Sequence, residues 1–321
     1  CNYLLFKKWK KHVLFLPSYV VKPIYNLNNL IKFNAYKYQV KPNDKFHNTH
    51  DVYSLLDKTK IHLTFTKEEI LNGENFLKKC GLNNKSKFIC LIVRDSAYLN
   101  SVESKYHDHR NCNIDNFILA AEKLTQIGYF VFRMGVFVNK KFKTNNKKII
   151  DYATNGMRTE LLDLFLCSRC EFCISTSLGL DGVIDVFRKP LLITNFVPFS
   201  KLRYERANVL TMFKHHFSKT LNKKITMFEI KKLNLESAFK KNNFDFHKIR
   251  LIENSEKEIF DAVIDLNHLI KFKTFNESDM ANINKFNLNY KNLFLNQKNI
   301  NSKIYSSVAP SYLNQNKYLL E

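Results

Sequence analysis

The chain contains few glycines, prolines and arginines. Its 321 residues include seven Gly, six Pro and one Trp, and only nine of the 51 basic residues are Arg. No run of about 18 consecutive apolar residues occurs, so the sequence predicts no membrane-spanning helix. The seven Cys form no regular framework, which predicts reduced thiols and a cytoplasmic location.

The composition is otherwise that of a well-filled globular protein. Hydrophobic residues make up 45% of the chain and include 28 Phe, which predicts one or two domains with large cores. The formal net charge of +22 is typical of nucleic-acid-binding proteins. The lysines are scattered, however, and no basic–aromatic repeat of the kind that stacking modules use is present. We therefore predict that nucleic acid is not a partner.

The two scarce residue types occur close together. Eight of the nine Arg lie between Arg94 and Arg206, and five of the seven Gly lie between Gly128 and Gly182. Arg binds carboxylate and phosphate through a planar fork, and Gly lets a backbone approach a ligand closely. The sequence therefore predicts that the functional site lies in the middle third of the chain.

Three regions follow from the pattern of apolar residues. Residues 1–86 are predicted to be a partial N-terminal domain, with a short strand at 13–16 and a linker helix that Thr66 caps and Gly81 ends. Residues 87–271 are predicted to form a nucleotide-binding Rossmann-like domain. Residues 272–321 are rich in Asn and Lys and are predicted to be a tail that packs back on the N-terminal part.

Within the central region, short apolar runs alternate with helical stretches. This alternation predicts an α/β fold with a parallel sheet that is covered on both faces. Strands are predicted at 88–93, 129–135, 147–153, 171–176 and 190–195, and helices at 114–128, 158–169, 180–189 and 253–271. In such sheets a ligand binds beyond the carboxyl ends of the strands.

Polar residues and glycines follow several of these predicted strands. The predicted site residues at strand ends are Arg94, Asp95, Arg133, Gly135, Asp151, Ser175, Ser177, Gly179 and Asn195. Their shared position at one edge of the predicted sheet is the main physical reason for expecting a site there.

The segment "LCSRCEFCISTSLGLDG" (166–182) contains two candidate sites side by side. Cys167, Cys170 and Cys173 have metal-like spacing but are divided between a predicted helix and the next strand, so we predict buried thiols and no metal. The "STSLGLDG" part offers hydroxyls, a glycine and a helix N-terminus, which together predict a phosphate-binding turn.

Several longer blocks resemble a known family. "ICLIVRDSAYL", "YHDHRNCNIDNFILAAEKLTQIGYFVFRMG", "IIDYATNGMRTELLDLFLCSRCEFCISTSLGLDGVIDVFRKPLLITN" and "IENSEKEIFDAV" are similar to bacterial putative glycosyltransferases encoded in surface-polysaccharide and flagellar-glycan gene clusters. The likeness covers residues 60–270 and extends to the donor domain of GT-B glycosyltransferases. It implies a GT-B-like fold with a small or partial N-terminal domain, a nucleotide-sugar donor and no essential metal.

The resemblance also implies site residues. The matching positions are Arg94, Asp95, Tyr98, Arg110, Asn111, Arg133, Gly135, Asp151, Tyr152, Arg158, Asp163, Ser177, Gly179, Pro190 and Asn195. We expect Arg94, Arg110, Arg133 and Arg158 to contact the donor, because the departing phosphate gains negative charge. Asp95 and His109 are the candidate general bases for the acceptor hydroxyl.

Two further functions and one further partner remain compatible with the sequence. A non-catalytic nucleotide-sugar-binding protein would keep the same binding residues, and a basic nucleic-acid-binding protein is the weaker alternative. The acceptor of the predicted transferase is a surface glycan, a lipid-linked sugar or a protein. A cluster of Lys7, Lys8, Trp9, Lys10 and Lys11 predicts peripheral contact with the anionic inner face of the cytoplasmic membrane.

Overall fold

The structure is a computed structural model that describes residues 2–31, 55–98, 107–203, 206–295 and 307–321. Within these ranges its main feature is a seven-stranded sheet in which every neighbouring pair is parallel. The strands are β1 (Lys87–Ile92), β2 (Tyr129–Met134), β3 (Ile149–Ile150), β4 (Cys173–Ser175), β5 (Leu191–Phe196), β6 (Val209–Phe213) and β10 (Ser307–Val308).

The spatial order of the strands is β10-β6-β5-β4-β1-β2-β3. Apart from the edge strand β10, this is the doubly wound order of Rossmann-like folds, in which the chain runs outward from β1 to one side and then from β4 to the other. The predicted α/β class with a Rossmann-like parallel sheet is confirmed. The point at which the order reverses lies between β1 and β4.

Twelve helices accompany the sheet in the described ranges. They are α1 (Tyr3–Trp9), α2 (Ser18–Ile31), α3 (Leu55–Lys58), α4 (Lys67–Lys79), α5 (Ile118–Gln126), α6 (Glu160–Arg169), α7 (Asp181–Val186), α8 (Met227–Lys232), α9 (Lys241–Phe246), α10 (Glu256–Phe272), α11 (Glu277–Phe294) and α12 (Pro310–Gln315).

Helices cover both faces of the sheet. On β2, the ring of Phe132 lies 5.9 Å from that of Phe76 on α4, whereas the Tyr129 hydroxyl is 3.3 Å from Asn267 on α10. Because side chains three positions apart on a strand point to opposite faces, α4 and α10 lie on opposite sides. Continuous apolar strands are expected in a sheet that is buried on both faces.

The helix boundaries follow signals in the sequence. Thr66 accepts from the backbone of Glu69, whose carboxylate accepts in return from Thr66, and Ser255 and Glu258 form the same reciprocal box at the start of α10. Each box satisfies two backbone donors that a helix terminus leaves unpaired. Gly81 follows α4 with φ of 85°, a conformation that favours glycine.

Several elements differ from the predictions. Residues 13–16 form no strand; they are an exposed connection between α1 and α2. A second sheet, β8-β7-β9, was not predicted; it is antiparallel and contains β7 (His215–Ser218), β8 (Lys223–Lys224) and β9 (Ile249–Ile252). Its strands have two to four residues each, which is too short for an alternating pattern of apolar and polar residues to predict them.

The C-terminal residues pack on the main sheet. β10 pairs with the β6 edge, and Tyr312 on α12 donates a hydrogen bond to the Phe213 carbonyl at 2.9 Å. The Tyr290 hydroxyl on α11 donates to the Phe199 carbonyl at 2.8 Å. Residues 307–321 therefore pack in the core that surrounds β6. The three-domain division stays a prediction.

Candidate functional site

The ends of β1 and β4 meet at the point where the strand order reverses. The backbone N–H of Arg94 donates to the Thr176 hydroxyl at 2.8 Å, and the N–H of Thr176 donates to the Ile92 carbonyl at 3.1 Å. Parallel sheets of this order bind ligands in the crevice at this position. The segments that follow β1 and β4 are therefore the candidate functional site.

The turn after β4 is held by a buried carboxylate. One oxygen of Asp181 accepts from the Ser175 hydroxyl at 2.5 Å, and the other accepts from the Leu178 N–H at 3.1 Å. The Ser177 N–H donates to the Ser175 hydroxyl at 3.2 Å, and Ser177 has φ of 63°. Burial raises the pKa of Asp181 to about 6.

This arrangement changes the prediction of an anion bound to a helix N-terminus. The helix after the turn, α7, has six residues, and Asp181 at its start already accepts one of the backbone N–H groups of the turn. Ser175 is buried and supports the turn instead of facing a ligand. Gly179, in contrast, is exposed, and a Cβ placed on it would have no neighbour within 4 Å. Of the predicted turn residues, Gly179 is therefore the one that leaves open space for a ligand.

Two arginines converge on this turn. The Arg110 guanidinium donates to the Ser177 carbonyl at 2.8 Å, and the Arg94 guanidinium donates to the Asn111 amide oxygen at 3.2 Å. Burial lowers the pKa of both groups, and the charge of Arg94 lowers that of Arg110 further. Asp108 and Asp181 act on Arg94 and Arg110 through their charges, but within the described ranges the hydrogen bonds of both guanidiniums go to neutral oxygens. Both groups can therefore still donate to an anion.

A third cation lies beside them. Lys214 follows β6 and is buried, and its ammonium donates to the Asn111 carbonyl at 2.7 Å. The nearest carboxylate oxygen that it faces in the described structure belongs to Glu253, at 4.0 Å. Sequence reasoning missed Lys214 because one lysine among many carries no local signal. Its position one residue beyond an apolar strand was the observation that could have identified it.

Arg133 does not join this cluster. Its side chain is 1% exposed, and its guanidinium lies 3.0 Å from Asp151 and 3.9 Å from Asp95. Asp151 also accepts from the Phe142 N–H at 2.9 Å. The predicted donor contacts of Arg133 and Asp151 are therefore replaced by an internal ion pair that ties β2 to the residues after β3.

Asp95, one of the two predicted bases, holds the backbone of its own loop. One carboxylate oxygen accepts from the Ala97 N–H at 2.9 Å and the other from the Asn139 N–H at 2.8 Å. Gly135 packs nearby, since a Cβ there would lie 2.8 Å from the Val138 side chain. These contacts give Asp95 and Gly135 a part in packing the loops, and their predicted roles in catalysis and donor binding stay predictions.

Two further predicted residues are also engaged within the protein. Arg158 donates to Asp163 at 2.6 Å. Asn195 exchanges two hydrogen bonds with Asn254, each of 2.7 Å and each between a side chain and a backbone N–H. The first pair braces the start of α6, and the second joins the end of β5 to the residue before the cap of α10. The side chain of Tyr98 lies outside the described residues.

The two histidines of the loop have different neighbours. The ring of His109 lies 5.5 Å from that of Phe244 on α9. Residues 107–110 form a 3₁₀ turn, in which positions three apart lie on one side, so His107 is on the side of Arg110. Burial lowers the pKa of His107, and the charges of Arg110 and Arg94 lower it further. His107 is therefore the histidine that faces the arginines.

A second charged cluster, which was not predicted, contacts Asp181 and so supports the turn after β4. Arg203 lies 3.4 Å from Asp181 and 2.7 Å from Asp185, and Arg206 lies 2.9 Å from Asp185 and 3.3 Å from Asp57 on α3. Each arginine bridges two carboxylates. The partners are up to 149 positions apart, which explains why local sequence patterns gave no signal.

The cysteines of the motif lie in the core. Cys167, Cys170 and Cys173 are fully buried, and burial together with neighbouring thiols raises the pKa of Cys173 well above its usual value. In the part of the chain that the structure describes, no group of three or more Cys, His, Asp or Glu is placed to hold a metal ion. None of the described helices is long and apolar enough to cross a membrane.

Comparisons with known proteins include a distant structural likeness. No protein-family model matches the chain, and no curated protein matches it. A crystal structure of a glycosyl transferase family 9 protein from Veillonella parvula is similar over 66% of this chain, with 14% sequence identity and a TM-score of 0.40. The chain spans about half of that protein, 54% of its length.

Proposed function

We propose that this chain is a glycosyltransferase that binds the diphosphate of a nucleotide sugar at the carboxyl edge of its parallel sheet. The observation that carries the proposal is the pair Arg94 and Arg110, two half-buried guanidiniums at the point where the strand order reverses whose hydrogen bonds within the described residues go to neutral oxygens. A phosphate offers the planar pairs of acceptors that guanidinium forks bind best.

Lys214 extends the same anion site. Its ammonium and the Arg94 guanidinium both contact Asn111, one through the backbone carbonyl and one through the amide oxygen. Three cations around one residue offset the two or more negative charges of a diphosphate. We propose that the protein uses these side chains in place of a resident metal ion.

The chemistry follows from where charge develops. Transfer breaks the bond between the anomeric carbon and the donor phosphate, and the electron pair stays on the departing nucleoside diphosphate. Arg94 and Arg110 stabilise this developing charge from fixed positions, which is the largest contribution that most active sites make. A bond from the acceptor oxygen to the anomeric carbon replaces the broken one.

The acceptor hydroxyl loses its proton in this step, and we propose His107 as the base that takes it. A histidine with a lowered pKa is neutral near pH 7, and one ring nitrogen of a neutral imidazole can take up a proton. His107 also lies on the side of Arg110, where the phosphate would be held. The acceptor is proposed to be a surface glycan, a lipid-linked sugar or a protein.

Thermal unfolding with nucleoside diphosphates and nucleotide sugars in EDTA tests the proposal. At a concentration of 100 times the dissociation constant, a ligand should stabilise the fold by about 2.7 kcal/mol. Stabilisation by a nucleotide sugar with no release of its nucleoside diphosphate would favour the non-catalytic alternative. No stabilisation by any of them, or stabilisation only after metal is added, would contradict the proposal.

Two glycines provide a matched pair of variants for the same assay. A Cβ at Gly179 or at Gly182 meets nothing within 4 Å, and neither residue has a positive φ. Gly179→Ala and Gly182→Ala should therefore both fold normally. Gly179→Ala should lower the affinity for the ligand, because the added methyl group occupies the space beside the turn. Gly182→Ala should leave the affinity unchanged. Equal affinity in both variants would place the ligand elsewhere.

A further inference from the structure

The N-terminal arm, defined here as residues 2–27, exposes an unusual amount of apolar surface. It contains α1, the connection at 13–16 and most of α2. Twelve of its large hydrophobic side chains are at least 38% exposed: Tyr3, Phe6, Val13, Leu14, Phe15, Leu16, Tyr19, Val20, Val21, Ile24, Tyr25 and Leu27. Contiguous exposed apolar surface of this kind marks a site of interaction.

One side of α1 attaches the arm to the rest of the protein. The Lys8 ammonium is buried and lies 2.7 Å from Glu69, and the backbone N–H groups of Tyr3 and Leu4 each donate to Glu160 at 3.0 Å. Lys8 therefore cannot face a membrane, contrary to the sequence-based prediction. Trp9 is half-buried and packs on the core, so it does not supply the expected membrane anchor either.

The other side of α1 carries aromatic rings and lysines together. The Lys7 ammonium lies 4.7 Å from the centre of the Tyr3 ring, and the Lys10 ammonium lies 5.2 Å from that of Phe6. The Phe6 ring in turn lies 5.2 Å from the Phe15 ring. The exposed face of α1 therefore continues into the connection as one surface.

α2 adds an apolar stripe to this surface. Val20, Ile24 and Leu27 recur at intervals of four and three residues, which places them on one side of the helix, and all three are exposed. Lys22 and Asn26 are four residues apart and lie on a different side of the helix. An exposed helix with separate apolar and polar sides is the usual form of a segment that lies in a membrane interface.

The charge of the arm has one sign. Residues 2–31 contain five Lys and no Asp or Glu. Glu69 neutralises Lys8 and also interacts with the charge of Lys11, whereas Lys7, Lys10 and Lys22 are exposed and form no salt bridge within the described residues. A surface that combines apolar side chains with uncompensated lysines is complementary to an anionic bilayer, whose headgroups attract the lysines while its acyl boundary receives the apolar groups.

We propose that the N-terminal arm lies in the interface of an anionic phospholipid bilayer. The aromatic side of α1, the connection at 13–16 and the stripe of α2 enter the interface, and the exposed lysines contact the headgroups. The proposal uses residues that the nucleotide-sugar site does not, so either can fail without the other.

Co-sedimentation with phosphatidylcholine vesicles, with and without phosphatidylglycerol, tests the proposal on the full chain. The protein should bind the anionic vesicles and only weakly the neutral ones. Changing Lys7, Lys10 and Lys22 to Gln should lower binding by about fivefold per lysine, or roughly a hundredfold for the triple variant. The charge-matched control changes the exposed Lys67, Lys78 and Lys79 of α4 to Gln and should bind as the unchanged protein does.

A second pair of variants tests the apolar component. At high salt, where the lysines contribute little, changing Leu14, Ile24 and Leu27 to Ser should lower vesicle binding below that of the unchanged protein. Changing the exposed Leu71, Leu221 and Phe228 to Ser should leave vesicle binding unchanged. Equal binding to neutral and anionic vesicles, equal losses in the control variants, or no binding at all would overturn the proposal. So would a dimer in solution that the Leu14, Ile24 and Leu27 variant dissociates, because a second copy would then cover the surface.

Discussion

At the residue scale, six guanidiniums near the carboxyl edge of the sheet differ in the partner that each one contacts. Arg133, Arg158, Arg203 and Arg206 lie within 3.4 Å of carboxylates of the protein itself. Arg94 and Arg110 donate to neutral oxygens. A guanidinium neutralised by its own fold contributes to structure, and one that is not neutralised can bind an anion.

Arg133 provides the first prediction. Arg133→Gln should lower the free energy of unfolding by about 3 kcal/mol, because it leaves the partly buried Asp151 without its countercharge. Urea unfolding measures the change. The double variant Arg133→Gln/Asp151→Asn should recover part of the loss, since it removes the unpaired charge as well. Additive losses in the double variant would mean that the two groups do not interact.

His107 provides the second prediction. If it is the base, release of nucleoside diphosphate from a bound nucleotide sugar should be constant at neutral pH and fall at acidic pH, with a midpoint below the usual histidine pKa of about 6.5. The reason is that the base is lost on protonation, and burial with the charges of Arg110 and Arg94 lowers the pKa of His107. His107→Gln should lower the rate by about 10²-fold or more. His109→Gln should leave the rate close to that of the unchanged protein, and the reverse pattern would restore His109 as the base.

At the element scale, one glycine sets the distance between two helices. A Cβ on Gly73 of α4 would lie 2.5 Å from the ring of Phe165 on α6, so only glycine allows this approach. The ring of Phe165 is itself fixed by Phe65, at 5.8 Å in an edge-to-face contact. α4 and α6 therefore pack with little room to adjust.

Gly73→Ala tests this packing. The methyl group should cost about 1–3 kcal/mol through the clash with Phe165, which exceeds the roughly 1 kcal/mol that Ala gains over Gly in a helix. Gly182→Ala in α7 is the control, because it meets nothing within 4 Å and should be neutral or stabilising. A more stable Gly73→Ala variant in thermal unfolding would contradict the assigned contact.

At the scale of the whole molecule, the sequence predicted the elements of the sheet better than the contacts of the side chains. The apolar runs at 88–93, 129–135 and 190–195 became β1, β2 and β5 because their hydrophobic period is local information. The helix cap at Thr66 was likewise a local signal.

The errors arise where the deciding partner is distant in sequence. Arg133 was expected to bind phosphate, but Asp151 and Asp95 neutralise it from other loops. Lys8 was expected to be exposed, but Glu69 buries it, 61 positions away. Lys214 was missed because only the fold places it beside Asn111. Local periodicity does not predict contacts between residues that are distant in sequence. The strand ends therefore predict where a site lies, but they do not predict which side chains face a ligand.

Arg94 and Arg110 are proposed to form an anion site for a diphosphate. Calorimetric titration with UDP, GDP, ADP and CDP in EDTA measures directly whether they do. We predict that at least one of them binds, and that Arg110→Lys weakens its affinity by about tenfold or more because a point charge cannot replace the planar fork. Arg169→Lys, at an exposed position in the last turn of α6, should bind as the unchanged protein does. Equal affinity in Arg110→Lys and Arg169→Lys, or the absence of binding by all four diphosphates, would contradict the claim.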